Sequence, residues 1–277
     1  MNVCIVRYNE IALKGRNISN FENLLIKNIK GYLIKENIRF KRIKKSYKRI
    51  LIYTDNRCSF LGYVFGVASY SCAVEVELGI NKIKESALDL VKNVKFKTFR
   101  VSSRRANKGF ACGSLQLNIL IGELIKNKLK KKVNLENFDL DIGIDILDKA
   151  YIFINKFKGP GGLPLGIEGN VISLVEDRKS IAASYLAMKR GCKVIPAGYK
   201  KFDINLLKKF DYSLKLIILK NIKEIETIAK ENNAKALILG QTLESFKETK
   251  TKLVILRPLI GFNEKEIEDK LKYLESL

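Results

Sequence analysis

The sequence predicts an α+β first part followed by an α/β second part with a Rossmann-like parallel sheet. After residue 170, runs of Val, Ile and Leu alternate with helical segments, which is typical of a parallel sheet covered by helices on both faces. Before residue 157, alternating strand patterns and a hairpin-like segment around Ser46 and Tyr47 indicate mixed strand pairing. The pattern changes at a connector rich in glycine and proline, Gly159 to Gly169.

In chain order, the first 56 residues are predicted to form a strand, a helix and two strands. The helix is expected to start at Ser19, because Glu22 three residues later completes a capping-box pattern. Residues 57–157 are predicted to form a further unit with helices over 84–94 and from after Phe110 to 132, a strand over 98–102 and two closing strands. Residues 158–277 are predicted to alternate five strands with helices.

Composition excludes several classes of function. The 277 residues include no histidine, so Ser-His-Asp, Cys-His and His-ligated zinc chemistry are ruled out. The five cysteines are scattered and form no Cys-x-x-Cys pair, which predicts reduced thiols, a cytoplasmic protein and no metal site. No apolar run approaches the ~20 residues of a membrane span, so no membrane partner is expected.

The formal net charge of +23 is concentrated in the first part of the chain. Residues 1–157 hold 30 Lys/Arg against 14 Asp/Glu, which indicates a polyanionic partner bound there. A lysine-rich solvated surface would explain part of this excess without any partner. The choice between the two therefore depends on motifs.

A basic motif, Arg104, Arg105 and Lys108, lies where a predicted strand leads into a helix. Guanidinium groups can grip phosphate with two parallel hydrogen bonds, and the amides of a helix start add further donors. The motif therefore predicts contact with nucleic-acid phosphates. Phe110 could offer a face to an unstacked base or pack in the core, and we favour the core.

A second strand-to-helix turn follows the predicted strand 171–175 and leads into a helix ending near Arg190. Such a turn can present helix amides to a phosphate, usually with the help of glycine. This turn has no glycine; its residues are Glu176, Asp177, Arg178, Lys179 and Ser180. Asp177 is a natural N-cap, so a closed helix start is predicted, with the two cations partly offsetting the two acids.

Several stretches resemble the 4-thiouridine tRNA sulfurtransferase family. The segment Glu10 to Asn17 is similar to the EIxLKGxN signature of its ferredoxin-like N-terminal domain, and FRVSSRRANKGF resembles the THUMP domain, an RNA-binding module. The connector and the Lys189 to Cys192 segment resemble the flanks of its PP-loop adenylation domain, as does the LRPLI segment that starts at Leu256. Connector residues that match are Gly161, Gly162, Pro164 and Gly166.

The resemblance implies three domains: ferredoxin-like over 1–56, THUMP over 57–157 and PP-loop-like over 158–277. The last is expected to be degenerate and truncated. The family has Ser-Gly-Gly-x-Asp-Ser where this chain has Glu176 to Ser180, and Gln241 and Glu244 replace an acidic residue and a glycine. Neither the ATP-binding loop nor the catalytic cysteine of the family is expected, and no rhodanese domain.

The resemblance also implies tRNA binding near the 3′ end through Arg104, Arg105 and Lys108, extended by Lys14 and Arg16. The leading interpretation is a tRNA-binding protein of tRNA modification that needs no cofactor and works with a separate sulfur-transfer or thiolation enzyme. One alternative is a divergent active thiolation enzyme that uses ATP and a partner's sulfur-carrying cysteine. A second is a non-catalytic RNA scaffold, so enzyme status stays open here.

Overall fold

The computed structural model describes residues 2–277 and divides into two compact units. The first unit contains the chain up to Tyr8, Ile29–Gly62 and Val67–Gly159. The second contains Asn9–Asn28, Tyr63–Gly66 and Pro160–Leu277. Within residues 2–277, no helix has the length and apolar character needed to cross a membrane.

The first unit is built on one nine-stranded sheet. Its strands are β1 (Asn2–Arg7), β2 (Arg42–Ser46), β3 (Arg49–Tyr53), β4 (Ser69–Val76), β5 (Thr98–Arg105), β6 (Lys132–Val133), β7 (Leu140–Ile146), β8 (Ala150–Phe153) and β9 (Phe157–Lys158). The order is β2-β3-β1-β4-β8-β7-β5-β6, with β9 beside β4. Only β5 pairs in parallel, with β6 and β7. The sheet is therefore continuous from the first strand to the last of this unit.

The helices of the first unit cover one end of this sheet. They are α2 (Ile80–Val91), α3 (Ser114–Leu129) and the C-terminal part of α1 (Ile18–Lys35). Fully buried residues such as Ile83 on α2, Ile121 on α3 and Phe99 on β5 form one apolar cluster. This cluster fixes the start of α3 against the end of β5.

The predicted hairpin around Ser46 and Tyr47 is confirmed. Ser46 and Arg49 are register partners in the antiparallel pair β2–β3. The two residues between them, Tyr47 and Lys48, have φ angles of 44° and 59°. Two consecutive residues with positive φ match the type I′ turn that suits the twist of a two-residue hairpin.

Three predicted boundaries are wrong. A 3₁₀ turn, Gly15–Asn17, leads directly into α1 at Ile18, so Ser19 lies inside the helix and is not its N-cap. The helix expected from residue 84 begins at Ile80. The strand expected to end at residue 102 continues to Arg105, because its parallel pairing with β7 continues that far.

The second unit contains a five-stranded sheet in which every pairing is parallel, and this confirms the predicted Rossmann-like class. Its strands are β10 (Asn170–Leu174), β11 (Lys193–Gly198), β12 (Ile217–Ile218), β13 (Ala234–Ile238) and β14 (Val254–Leu256), in the order β12-β11-β10-β13-β14. The order reverses between β10 and β13, where doubly wound sheets place their ligand crevice.

Helices pack on both faces of the parallel sheet. They are α4 (Arg178–Lys189), α5 (Asn205–Lys208), α6 (Glu224–Glu231) and α7 (Glu264–Ser276). Successive residues of β10 point to opposite faces: Val171 joins the cluster that contains α4, α5 and α7, and Ile172 joins the one that contains α6. Burial on both faces explains why these strands are continuous apolar runs.

The glycine-rich connector packs against the end of α4. The backbone N of Leu163 donates to the carbonyl of Lys189 at 3.0 Å, and that of Gly166 donates to the carbonyl of Gly191 at 2.8 Å. A Cβ on Gly162, whose φ is +74°, would lie 2.1 Å from the Lys189 carbonyl oxygen. Only glycine fits there, so the connector and the segment after α4 are two halves of one contact.

A buried ion cluster joins distant strands of the first unit. Asp145 on β7 accepts from the guanidinium of Arg7 on β1 at 3.1 Å and lies 3.5 Å from Nε of Arg49 on β3. Arg7 also donates to the hydroxyl of Ser71 on β4 at 3.0 Å. Burial lowers the pKa of Arg7 below its ordinary value, and the carboxylate of Asp145 opposes that change. One carboxylate thus pairs with two buried cations.

Replacing Asp145 with Asn should destabilise the first unit by about 3–5 kcal/mol, because two buried guanidinium groups lose their counter-charge. Urea denaturation of the full chain measures the loss. The control is Asp89→Asn, which breaks an exposed pair with Lys92 and should cost less than about 1 kcal/mol. Equal losses in the two variants would contradict this account of the cluster.

Candidate functional site

The turn between β10 and α4 is a closed helix start, and this prediction is confirmed. Oδ1 of Asp177 accepts from the backbone N of Ser180 at 2.8 Å and from the Ser180 hydroxyl at 2.7 Å. The Ser180 hydroxyl oxygen accepts from the backbone N of Glu176 at 3.2 Å and of Asp177 at 3.4 Å. Three amides of the turn therefore already have acceptors, which a phosphate would have to displace.

The two cations of this turn are paired with carboxylates of α7. Nη2 of Arg178 lies 2.8 Å from Oε1 of Glu275, and Lys179 forms an ion pair with Glu264. The acidic residues at the beginning of the turn are exposed. The positive charge that could have attracted an anion is therefore already neutralised within the second unit.

The end of β13 closes against the same turn. A Cβ on Gly240 would lie 2.6 Å from the backbone N of Ser180, so the two backbones touch without intervening space for a ligand. The next residue, Gln241, accepts a 2.8 Å hydrogen bond from Nε of Arg257, whose guanidinium also lies over the ring of Phe246. The neutral side chain of Gln241 thus holds Arg257, the arginine of the LRPLI segment.

The junction between β5 and α3 is held by hydrogen bonds between the strand end and the first turn of the helix. The Ser103 hydroxyl donates to the Ser114 carbonyl at 2.8 Å, and the backbone N of Arg105 donates to the Ser114 hydroxyl at 3.2 Å. The backbone N of Ser103 donates to Oδ1 of Asn118 at 2.8 Å. These contacts fix the position of the basic motif relative to the helix start.

The loop that carries Lys108 is fixed by its neighbours. Asn107 donates from its amide to the Leu147 carbonyl at 2.9 Å, and its Oδ1 accepts from the backbone N of Gly109 at 2.9 Å. Arg105 donates to the Phe110 carbonyl at 2.8 Å. Phe110 itself packs against the apolar cluster of α2 and α3, which confirms the core interpretation.

The start of α3 is open, in contrast to that of α4. Its N-cap, Gly113, makes no side-chain capping bond, and no acidic residue lies in the first turn. Arg104 and Lys108 are exposed, and no side chain within residues 2–277 pairs with either. The uncapped amides of this helix start are a favourable environment for a phosphate, and the junction also carries these two cations.

The remaining basic candidates lie in the other unit. Arg104, Arg105 and Lys108 belong to the first unit, whereas Lys14 and Arg16 belong to the second. Nζ of Lys14 is 5.0 Å from the centre of the Phe21 ring, and Arg16 is exposed. In the same signature, Glu10 forms a 2.7 Å ion pair with Arg190 and so ties the signature to the end of α4.

Three of the five cysteines, which look scattered in the sequence, meet in the first unit. Cys4 on β1 is the direct register partner of Cys72 on β4, and both Cys58 and Cys72 lie within hydrogen-bonding reach of Cys4. Only the β1–β4 pairing reveals this proximity, so no local sequence signal could have found it. No group of three or more His, Cys, Asp or Glu side chains in residues 2–277 is arranged to hold a metal ion.

Family comparisons agree with the fold. The family described as the ThiI ferredoxin-like domain matches residues 3–71, and the THUMP domain family matches residues 79–155. The match over 79–155 includes the whole of the junction between β5 and α3. The chain is thus a THUMP-domain protein with an additional Rossmann-like sheet.

Relatives define the family. A probable tRNA sulfurtransferase of Thermococcus kodakarensis is 35% identical over 328 aligned residues, which include 97% of this chain and 86% of that protein. A probable tRNA sulfurtransferase from Caldanaerobacter subterraneus is 30% identical, and the alignment includes 97% of this chain and 84% of that protein. The chain belongs to the tRNA sulfurtransferase family. Because 328 aligned positions exceed the 277 residues here, these relatives contain segments without a counterpart in this chain.

Two solved structures share the whole fold. The crystal structure of PH1313 from Pyrococcus horikoshii has a TM-score of 0.89 at 34% identity and matches 99% of this chain and 100% of that chain. A 4-thiouridine synthetase in complex with RNA and bound ATP has a TM-score of 0.79 at 25% identity, with 99% and 85% matched. These similarities confirm the predicted combination of ferredoxin-like, THUMP and Rossmann-like architecture.

Replacing Asp177 with Ala should destabilise the second unit by about 1 kcal/mol, since α4 loses its N-cap. Urea denaturation of the full chain measures the change. Asp269→Ala, at an exposed position on α7, is the control and should change stability by less than about 0.5 kcal/mol. If the two variants are equally stable, Asp177 does not cap the helix in solution.

Proposed function

We propose that the chain is a tRNA-binding protein that acts in tRNA modification without ATP-dependent catalysis of its own. The contrast between the two strand-to-helix junctions carries the proposal. The start of α3 is uncapped and has no acid in its first turn, whereas the start of α4 is capped by Asp177 and preceded by acids. An anionic ligand is favoured at the first junction and disfavoured at the second.

In this proposal the chain works as three domains in the cytoplasm. Residues 1–56 form the ferredoxin-like domain, 57–157 the THUMP domain and 158–277 a degenerate PP-loop-like domain. A separate sulfur-transfer or thiolation enzyme carries out the modification on the tRNA that this chain presents. Membership in the tRNA sulfurtransferase family supports a role in tRNA modification, and the THUMP match supports binding to RNA.

Phosphate contacts are assigned to the basic motif of the first unit. Arg104 and Lys108 have no competing partner, so their charges are available to a phosphate. Arg105 uses one donor to hold the Phe110 carbonyl and retains further guanidinium donors for RNA. It therefore both orders the loop and contributes to binding.

The RNA is proposed to bind near its single-stranded 3′ end. Leu115 and Ile119 lie one turn apart on α3 with 74% and 52% of their surfaces exposed. Apolar surface next to cations suits unstacked bases, which proteins recognise in single strands rather than in duplexes. The similar 4-thiouridine synthetase was crystallised with RNA, and Lys14 and Arg16 of the second unit are proposed to extend the binding surface.

Changing Arg104 and Lys108 together to Ala should weaken tRNA binding and reduce its salt dependence. Each lost phosphate contact lowers the slope of log affinity against log salt by roughly 0.7–0.9, so the double variant should lose about 1–2 units of slope. Filter binding across a salt series measures it. Arg105→Ala should also weaken binding, because the loop loses its link to Phe110.

The matched control is Lys265→Ala with Lys272→Ala, two exposed cations of α7, which should leave the slope unchanged. The same titration with tRNA trimmed of its single-stranded 3′ end should show weaker binding than with intact tRNA. An unchanged slope in the Arg104 and Lys108 variant removes these residues from the interface. Equal affinity for the two RNAs would show that the single-stranded 3′ end does not contribute to binding.

ATP does not fit the β10–α4 turn as it is folded. The similar synthetase binds ATP, but in this chain three amides of the turn are occupied, its cations are paired with α7 and Gly240 lies against Ser180. A phosphate here would have to displace Asp177 and overcome the exposed acids. We therefore propose that the chain needs no ATP or other cofactor.

Titration of the purified chain with Mg-ATP should show no binding tighter than millimolar, or about 4 kcal/mol, because three amides of the capped turn already have acceptors. Isothermal titration calorimetry is the measurement. Binding in the micromolar range that disappears in a Lys179→Ala variant would contradict the degenerate-site proposal. Micromolar binding that survives the variant would place a nucleotide elsewhere in the chain.

One alternative function is favoured by a specific observation. The ATP-bound 4-thiouridine synthetase matches 99% of this chain, which supports a divergent thiolation enzyme that borrows a sulfur-carrying cysteine from a partner. Incorporation of labelled sulfur into tRNA by this chain, ATP and a sulfur-carrying partner protein would establish it. If tRNA modification persists after deletion of the gene, the RNA-scaffold alternative is favoured instead.

A further inference from the structure

A cluster of three thiols lies in the first unit, away from both helix junctions. Cys4 is in the middle of β1, Cys72 is opposite it on β4, and Cys58 follows β3. Cys4 and Cys58 are buried, whereas Cys72 is exposed. The cluster therefore has one exposed thiol backed by two buried thiols.

The pairing of Cys4 with Cys72 is compatible with a disulfide. Directly opposed residues of an antiparallel pair have Cβ atoms about 4.5–5.5 Å apart, and a disulfide requires about 3.5–4.5 Å. As direct register partners, the two cysteines project from the same face of the β1–β4 pair. A small movement of two adjacent strands would join them.

The surroundings favour a thiolate on the accessible cysteine. A hydrogen bond from Cys4 lowers the pKa of Cys72 to about 6 against the opposing effect of burial, helped by a backbone hydrogen bond from Cys58 and by the charge of Arg57. Hydrogen bonds to Cys58 and Cys72, together with burial, raise the pKa of Cys4. Cys72 is thus the nucleophile, and Cys4 retains its proton while Cys72 is charged.

A small cavity gives access to this thiolate. It has a volume of about 220 Å³, and its lining includes Cys4, Cys72, Asp55, Asn56 and Arg57. This volume corresponds to roughly seven water molecules at ~30 Å³ each. The cavity therefore has room for the reactive end of a small sulfur compound.

We propose that Cys72 attacks the sulfur–sulfur bond of a persulfide or a small disulfide and that Cys4 resolves the product. With a persulfide, the Cys72 thiolate takes the outer sulfur and releases a thiolate, which leaves a Cys72 persulfide. Cys4 then loses its proton to solvent and attacks the Sγ of Cys72, which forms the Cys4–Cys72 disulfide and releases hydrosulfide.

With a disulfide the same two attacks occur at a different substrate. Cys72 forms a mixed disulfide and releases one thiolate, and Cys4 displaces the second thiolate. In each case the incoming sulfur compound is reduced by two electrons and the two cysteines are oxidised by two. In the mixed disulfide Cys72 carries no charge, which removes one of the causes that raise the pKa of Cys4.

This chemistry does not depend on RNA or ATP binding. Every residue in it lies in the first unit and none belongs to the basic motif or to the β10–α4 turn. Failure of the RNA proposal therefore leaves it intact, and the reverse also holds. If both proposals hold, the first unit binds RNA and also contains a dithiol site that reduces sulfur–sulfur bonds.

The decisive experiment treats the reduced full chain with glutathione persulfide in one arm and glutathione disulfide in the other, followed by acid quench and peptide mapping by mass spectrometry. The expected product in the wild-type protein is the Cys4–Cys72 disulfide, with hydrosulfide released in the persulfide arm only. The arm that reacts faster identifies the sulfur source. Absence of the disulfide in both arms overturns the proposal.

Variants test the assigned order of attack. Cys72→Ser should give no product, whereas Cys4→Ala should stop at the Cys72 persulfide or the mixed disulfide. Cys192→Ser is the matched control and should behave as wild type, because burial raises the pKa of that thiol. A trapped adduct on Cys58 instead of Cys72 would contradict the order.

The rate of alkylation tests independently whether Cys72 is ionised. At pH 6 half of a thiol with pKa about 6 is ionised, but less than about 1% of one above 8.5. Lower basicity reduces the intrinsic nucleophilicity by roughly tenfold, so Cys72 should still react with iodoacetamide about tenfold faster than Cys192. Equal rates would show that Cys72 is not the thiolate and would overturn its role as nucleophile.

Discussion

The buried carboxylate of Asp145 is the interaction on which the first unit depends. It joins β7 to β1 and β3, and Arg7 extends the connection to β4 through Ser71. Pairs of this kind add little net stability when formed, but they are costly to break, so they select one strand arrangement over others. In the parallel register Asp145 is the partner of Arg104. The residue on β7 that pairs with two buried cations is therefore the register partner of the exposed Arg104 on β5.

The chain contains the same structural motif twice, a strand followed by a turn and a helix, and side-chain chemistry makes the two different. At the start of α4, Asp177 supplies the negative charge that the helix dipole favours, and α7 supplies carboxylates for both cations. At the start of α3 neither kind of group is present, and Gly113 leaves the amides uncapped. An anion can therefore gain free energy at α3, but at α4 it would have to replace an internal anion.

The sequence predicts what is local and misses what depends on distant pairing. The parallel sheet, the hairpin at Tyr47 and the cap at Asp177 follow from patterns a few residues long, and the structure agrees with each. The ion pair between Arg7 and Asp145 joins residues 138 positions apart, and the contact between Cys4 and Cys72 exists only once β1 pairs with β4. The α7 partners of Arg178 and Lys179 have the same origin, because no pattern in the turn indicates which helix will neutralise it.

Resemblance at the flanks of the β10–α4 turn is evidence about folding rather than about nucleotide binding. Gly162 touches the Lys189 carbonyl, Gly166 bonds to the Gly191 carbonyl, and Arg190 pairs with Glu10. These contacts fix the connector and the signature against the end of α4, at the opposite end of the helix from the turn. Because they involve only protein atoms, they are required whether or not a phosphate binds at the helix start. A turn without glycine can therefore occur inside a motif whose outline is intact, and only the chemistry of the turn itself decides its ligand.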